Sequence, residues 1–375
     1  AGDGLAYLYR VALHIVAMDA PSPDTNRAIC DWLSALPSGY ADGEGDVVRH
    51  AILLQRCFDG REMRWSDALV ARTRRHIGGC VTAVEMALKL ELAAASPETA
   101  LPSDPLCWLE IQKRPALLSP PLLAAMRNRA AIGLMAHDHA YGDGAANSTE
   151  ADLAEFPHSA QDILASLALG QAGWADVGPD DTPIRVDLPA EAYPELLLTV
   201  GAVLANALVA SGQPPALYLT IDRACAALLA RYDEQPMPYA QAALFAHQMR
   251  LAELSDAQLL ALSRQRHILA LLGIAADRLG LDLPCLVQHV VEATEQAVFT
   301  LCRAAQFPRE VAVRLVLGRR SVARGVDDSV LVHYAEAYDG MTLAEALNAV
   351  AVLGLSRAFQ AKLSLVRAQQ ACRDA

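Results

Sequence analysis

The sequence predicts an all-α fold built from many helices, and three observations lead to this prediction. Hydrophobic residues make up 53% of the 375 residues but aromatic residues only 5%, so the apolar side chains are mostly Ala, Leu and Val, which suit close helix packing. Helix-start signals recur along the chain. Only Ile184 to Leu188 alternates like a β-strand, and a single strand has no partner with which to form a sheet.

The helix-start signals are capping residues and prolines at the first helical position. Ser255-Asp256-Ala257-Gln258 and Thr342-Leu343-Ala344-Glu345 both fit the capping box, in which the cap and the third helical residue bind each other's backbone. Prolines that follow a cap or an apolar residue mark the starts of further helices. We predict helices over Leu122–Met135, Pro284–Ala305, Pro308–Val322 and Asp328–Tyr338.

The length of the chain predicts two compact units. Residues 141–157 are rich in Gly, Asn, Ser and charge and have little apolar periodicity, which is typical of a linker. We therefore predict an N-terminal helical domain over residues 1–140 and a C-terminal helical domain over residues 158–375. We expect limited proteolysis to cut first within the linker.

The charge and the cysteines limit the class of protein. The formal net charge of −12 argues against a protein that binds nucleic acids generally through their phosphates. The eight cysteines are scattered through apolar segments and form no Cys-x-x-Cys pair, which is typical of buried thiols in a reducing compartment. We predict a cytoplasmic protein without intramolecular disulfides among Cys30, Cys57, Cys80, Cys107, Cys225, Cys285 and Cys302.

The most apolar stretch, Leu196–Ala210, has only fifteen residues, whereas a membrane-spanning helix needs about 20. We therefore predict a core helix and no transmembrane segment. The N-terminal residues Ala1-Gly2-Asp3-Gly4 do not resemble a signal peptide.

A short turn, a capping serine and an amphipathic helix occur twice in similar order. Arg114 to Arg127 contains the first copy and Arg250 to Arg264 the second, while Trp65 to Arg72 is a partial third copy. Degenerate repeats of the HEAT kind have this form. The open alternative is a chance likeness between helices rich in Ala and Leu, packed as a helical bundle.

Two segments, Leu188-Pro189-Ala190-Glu191 to Ala210 and Phe299 to Pro308, carry a resemblance to a known family. Together with the repeated pattern, they resemble an uncharacterised alphaproteobacterial family that bears only a domain-of-unknown-function label. The resemblance covers residues 188–375. It implies a HEAT-like helical fold, and it implies no catalytic residues because none is established for the family.

Two His-x-x-Glu pairs are the strongest candidates for a chemical site. His289 and Glu292, like His333 and Glu336, are three residues apart and so share a helix face, from which they could bind a metal. The alternative is a pair of solvated helix edges, and we expect no metal and no cofactor. The Cys–His pairs at 50 and 57 and at 76 and 80 are interpreted as structural.

A basic run, Arg319, Arg320 and Arg324, is the candidate contact for a phosphate or an acidic partner, because the guanidinium fork binds such groups. A solvated face is the alternative. The sequence contains no phosphate-binding glycine loop, no Gly-x-Ser-x-Gly and no His-Glu-x-x-His. It therefore favours a non-catalytic helical scaffold that binds a protein partner, with a homodimer open. An enzyme or metal carrier using the two His-x-x-Glu pairs is the alternative function.

Overall fold

A computed structural model of the chain describes residues 65–95, 101–137, 156–175, 178–179, 182–250, 254–323 and 328–355, with residues 359, 362–363 and 366 beyond them. Within these ranges the regular structure is helical, apart from one isolated bridge between Trp65 and Ala323. The all-α prediction is confirmed. Ile184 to Leu188 is irregular rather than a strand.

The first seven helices of the described chain are α1 Asp67–Ala95, α2 Cys107–Lys113, α3 Pro120–His137, α4 His158–Ala175, α5 Tyr193–Ala210, α6 Leu217–Ala230 and α7 Pro238–Arg250. The next seven are α8 Asp256–Arg264, α9 Ile268–Leu279, α10 Leu283–Glu292, α11 Glu295–Ala304, α12 Arg309–Gly318, α13 Asp328–Ala337 and α14 Leu343–Val350. Short 3-10 turns lie at Pro115–Leu117, Arg319–Ser321 and Ala351–Gly354.

Helix α3 lies at the centre of the packing. It contacts α1 and α4, and also α9, α10 and α12, which follow much later in the sequence. Most of its residues are buried, including the polar residues Arg127, Asn128 and Arg129. Charged side chains on a central helix must find partners in the interior, because an uncompensated buried charge is costly.

Helix α5 is, among the described helices, the one whose length and mean hydropathy of 1.5 would suit a membrane span. In the protein it packs against α1, α2 and α6. Its Glu195 carboxylate accepts hydrogen bonds from the backbone N–H and the hydroxyl of Ser119, which ties its first turn to the start of α3. These contacts agree with a core helix, and the described residues contain no clear transmembrane segment.

The predicted helix over Pro284–Ala305 is two helices, α10 and α11. Thr294 has an extended backbone, with ψ at 163°, and its hydroxyl accepts from the backbone N–H of Ala297, which starts a new helix. The carbonyl of Ala293 accepts instead from the guanidinium of Arg319. The predicted helix over Pro308–Val322 likewise ends at Gly318 and continues as a 3-10 turn.

The contacts place Glu62–Leu353, which includes α1 to α14, in one compact unit. The domain boundary at residues 141–157 stays a prediction. Residues 138–155 lie outside the described residues, but α3 and α4, the helices on either side of them, pack directly against each other. The preferred site of proteolysis stays a prediction.

Candidate functional site

An open cleft of about 350 Å³ lies beside the packed pair of helices α7 and α9. Its floor is made of small residues from these two helices, Ala240, Ala243, Ala246, Gly273 and Ala276. Pro189, Leu281, Leu283 and Pro284 add further apolar surface. Because these side chains are short, they leave the space of the cleft unfilled.

The close approach of α7 and α9 requires glycine at position 273. A Cβ atom there would lie 2.7 Å from the carbonyl oxygen of Ala242, which is closer than such atoms can approach. The floor of the cleft is therefore built from the two helices in direct backbone contact.

Four carboxylates line the cleft and are called the acidic rim: Glu191, Glu234, Asp277 and Asp282. Hydrogen bonds and an ion pair hold three of them. Glu234 accepts from the backbone N–H of Ala190 at 2.9 Å, Asp282 accepts from Cys285 at 3.1 Å as the cap of α10, and Asp277 lies 3.4 Å from a guanidinium nitrogen of Arg250. Among the described residues that line the cleft there is no Lys, Arg or His, so this lining carries negative charge.

Tyr239 provides an aromatic wall. Its half-buried ring lines the cleft and packs against Trp174 of α4, with 5.8 Å between the ring centroids. Burial raises the pKa of the Tyr239 phenol, although the guanidinium of Arg129 opposes this shift. The phenol is therefore neutral at physiological pH and contributes an uncharged ring.

Behind Tyr239 lies a buried polar cluster formed by Arg129, Trp174 and Asp187. The indole N–H of Trp174 donates to the Asp187 carboxylate at 3.2 Å, and a guanidinium nitrogen of Arg129 lies 4.0 Å from the same carboxylate. The Arg129 guanidinium also lies 5.6 Å from the centroid of the Trp174 ring and donates to the carbonyl of Arg185 at 2.6 Å.

The buried polar cluster fixes the irregular segment over residues 182–192 to α3 and α4. Asp187 and the Arg185 carbonyl belong to this segment, and so do two residues that line the cleft, Pro189 and Glu191. Tyr232 holds the same segment by donating its hydroxyl to the carbonyl of Leu188 at 2.5 Å. One wall of the cleft is thus positioned by bonds in the protein interior.

His76 and Cys80 lie next to this cluster, and their chemistry agrees with the structural interpretation. The imidazole Nε2 of His76 lies 3.0 Å from the carbonyl of Trp174, and burial, assisted by Arg129, lowers the pKa of His76. Burial raises the pKa of the Cys80 thiol, which accordingly stays protonated. A protonated thiol is a weak nucleophile. His50 and Cys57 lie outside the described residues.

The two His-x-x-Glu pairs lie on helices with different neighbours. Helix α10, with His289 and Glu292, packs against α3, α7 and α9, whereas α13, with His333 and Glu336, packs against α11 and α12. Glu292 forms an ion pair with the buried guanidinium of Arg127. Burial lowers the pKa of His289. In the described part of the chain, no three His, Cys, Asp or Glu side chains are grouped so that they could hold a metal ion.

The basic run is divided between interior and surface. Arg319 is only 2% exposed. Its guanidinium donates to the Ala293 carbonyl and lies 3.9 Å from the Glu295 carboxylate. Arg319 therefore stabilises the junction between α10 and α11 rather than facing an external partner. Arg320 forms an ion pair with Asp328. Arg324 lies outside the described residues.

Sequence reasoning did not find the cleft. One signal was present, because Ala240, Ala243 and Ala246 recur at intervals of three residues and so place small side chains along one helix face. The acidic rim gives no such signal, since its members come from three separate parts of the chain, around residues 191, 234 and 277–282. No match to the chain was found among protein-family models, curated proteins or solved structures.

Proposed function

We propose that this protein is a non-catalytic helical scaffold that binds a protein partner in the cleft beside α7 and α9. The observation that carries the proposal is the cleft itself, in which an apolar floor, an aromatic wall and an acidic rim occur together. Interfaces commonly combine an apolar, aromatic centre with a polar rim in this way. The HEAT-like repeat organisation remains part of the proposal.

The size and shape of the cleft favour a macromolecular partner over a small molecule. Its volume of about 350 Å³ is near the lower limit of ligand pockets, which usually enclose most of their ligand. An open cleft of this size suits one or two side chains inserted from the surface of a partner, as anchor residues are at protein interfaces. The alternative of an enzyme or metal carrier using His289, Glu292, His333 and Glu336 has no comparable support.

Photo-crosslinking in the native cell tests the proposal. The exposed Ala243 of the floor is replaced by a photo-crosslinking amino acid, and the crosslinked protein is identified by mass spectrometry and purified. The same substitution at Ala227, an exposed residue of α6 outside the cleft, is the matched control. We expect one protein to be crosslinked from position 243 and not from position 227.

The identified partner is then tested with purified components. Ala243→Trp fills the cleft from an exposed position, so it should abolish binding without preventing folding. Binding of the partner with unchanged affinity to this variant, confirmed as folded by its far-UV circular dichroism, would refute a function located in the cleft.

A cytoplasmic location belongs to the same proposal. It is supported by the thiols of Cys80, Cys107, Cys225 and Cys302, which are buried in helices of the core. Burial raises the pKa of the Cys302 thiol to about 12, as expected for a thiol that behaves as a small apolar side chain. Fractionation of the native cell with antibodies against the protein tests this location.

A further inference from the structure

We infer that residues 182–192 form a strap that opens as a unit while the helices stay folded, and that this opening removes one wall of the cleft. The strap is the irregular segment that carries Pro189 and Glu191, both of which line the cleft. The consequence for partner binding rests on the proposed function. The opening itself does not, because it depends on contacts inside this chain.

The strap carries the nearest cation of its own buried carboxylate. Asp187 is 4% exposed, and its carboxylate lies 2.7 Å from the Arg185 guanidinium but 4.0 Å from that of Arg129 in α3. Arg185 belongs to the strap and is exposed. The Asp187 carboxylate therefore keeps its closest ion pair when the strap leaves α3, while water reaches the guanidinium of Arg129. Neither charge is then buried without compensation, which would be costly.

The other contacts that hold the strap closed are mostly hydrogen bonds to its backbone. Tyr232 and Glu234, from the loop between α6 and α7, bind the Leu188 carbonyl and the Ala190 N–H. Water can replace these bonds when the strap opens. The buried apolar side chains of the strap are those of Leu188 and Ala192 alone. Few buried apolar contacts are typical of a segment that opens locally.

The close fit of the strap on α1 depends on a glycine. A Cβ atom at position 79 would lie 2.8 Å from the carbonyl oxygen of Thr182 and 2.9 Å from a side-chain carbon of Ile184. The Ile184 N–H also donates to the Gly79 carbonyl at 3.2 Å. Gly79→Ala therefore favours the open strap, because the added methyl group displaces it, while alanine raises the helix propensity of α1.

Cys80 lies beneath the strap and can report its opening. The thiol is fully buried, and the Arg129 guanidinium bridges it to the strap, with one nitrogen 3.3 Å from the Cys80 sulfur and another 2.6 Å from the Arg185 carbonyl oxygen. Cys302 is also buried, but it belongs to α11, which packs against α12, α13 and α14. Opening of the strap exposes the first thiol and not the second, whereas global unfolding exposes both.

Thiol labelling of the full chain under native conditions tests the inference. N-Ethylmaleimide is added in excess, and mass spectrometry of peptides gives the labelling rate of each cysteine relative to its rate in the urea-unfolded chain. We expect Cys80 to be labelled faster than Cys302 and Gly79→Ala to raise the Cys80 rate alone. Tyr232→Phe removes one hydrogen bond to the strap and should raise the Cys80 rate about fivefold.

Two matched variants are the controls. Tyr218→Phe changes an exposed tyrosine of α6, and Gly173→Ala adds a Cβ that meets nothing within 4 Å. Neither should raise the rate of Cys80 or Cys302. Equal relative rates for the two thiols in the unchanged protein would mean that only global unfolding exposes them and would overturn the inference. A Gly79→Ala variant that raises both rates together would overturn it as well.

The consequence for the cleft is tested with the partner that crosslinks at position 243. An open strap removes Pro189 and Glu191 from the lining, so Gly79→Ala should weaken binding of this partner and Gly173→Ala should not. Unchanged affinity in a variant whose Cys80 labelling has risen would show that the strap does not control the cleft. Failure to crosslink any partner would refute the proposed function, whereas the labelling rates decide the opening of the strap independently.

Discussion

The guanidinium of Arg129 and the carboxylate of Asp187 lie 4.0 Å apart in the protein interior, where each side chain is at most 4% exposed. Arg129 belongs to the central helix α3, whereas Asp187 belongs to a segment without regular structure. An irregular segment has no helical hydrogen bonds of its own to hold it. The ion pair and the Trp174 hydrogen bond therefore attach this segment to α3 and α4, as side-chain packing would attach a helix.

Replacing Asp187 by Ala should strongly destabilise the protein. The change leaves the Arg129 guanidinium buried without its charge partner, which typically costs about 3 kcal/mol or more. Urea-induced unfolding followed by circular dichroism measures this loss. The exposed residue Asp222 is the matched control, because Asp222→Ala removes the same charge from the surface and should change the free energy of unfolding by less than about 0.5 kcal/mol. Equal unfolding midpoints for the two variants would contradict the role given to the pair.

Gly273→Ala should destabilise the contact between α7 and α9. The added methyl group would lie 2.7 Å from the Ala242 carbonyl, so the helices must separate, at a cost of about 1 to 3 kcal/mol. Gly173 in α4 is the control, because a Cβ there meets nothing within 4 Å. Gly173→Ala should stabilise the protein by up to about 1 kcal/mol through its helix propensity. Thermal unfolding that shifts both variants in the same direction would refute the close packing.

Acid should destabilise the protein through its buried histidines. Burial lowers the pKa of His267 to about 4, and burial also lowers the pKa values of His76 and His289. The unfolded chain binds a proton at each of these sites below about pH 6.5, while the folded protein does not. The stabilisation is thus complete above pH 6.5 and is lost as the pH falls towards 4, by roughly 3 kcal/mol for His267 alone.

Measuring the free energy of unfolding between pH 7 and pH 4 checks this dependence. His267→Asn removes one titrating group and keeps a residue suited to the start of α9, so the decline should become shallower. His158→Asn, at an exposed position, is expected to reproduce the slope of the unchanged protein. A His267→Asn variant with the full acid sensitivity would show that burial of this imidazole is not responsible.

Thr342→Ala should cost about 1 kcal/mol of stability because it removes half of a capping box. The Thr342 hydroxyl accepts from the backbone N–H of Glu345 at 3.2 Å, and the Glu345 carboxylate accepts from the backbone N–H of Thr342 at 2.9 Å. Thr342→Ser keeps this pair of bonds and should change stability by only a few tenths of a kcal/mol. If the serine variant lost as much as the alanine variant in thermal unfolding, the cap would not be the cause.

Capping residues in the sequence predicted where helices start, but the sequence did not predict where a long helix is broken into two. Both capping boxes, at Ser255 and Thr342, are present in the structure. The break between α10 and α11 was missed because Val291 and Val298, seven residues apart on either side of it, keep a helical spacing. The compensation for the break comes from the buried Arg319, more than twenty residues later, which donates to the carbonyl of Ala293. A local hydrophobic pattern cannot predict a hydrogen bond between residues that are this far apart in the sequence.

The candidate site was less predictable than the fold for a related reason. Asp187 alternates with apolar neighbours, so the sequence pattern places it on the solvent side of a strand, whereas Trp174 and Arg129 bind it in the interior. Likewise, the carboxylates of the cleft become neighbours only through the packing of α7, α9 and the segment over residues 182–192. The spacing of residues along the sequence can identify a site that lies on one helix or strand. This site is built from several helices and an irregular segment, so spacing does not identify it.

The backbone contact between Gly273 and Ala242 has a consequence for how this protein can evolve. Position 273 cannot be remodelled by a single substitution, because any side chain there separates two core helices. New binding preferences can arise instead at the exposed positions of the cleft, such as Glu191, Glu234 and Ala243. Related chains should therefore differ in partner choice through these exposed positions while they retain glycine at position 273.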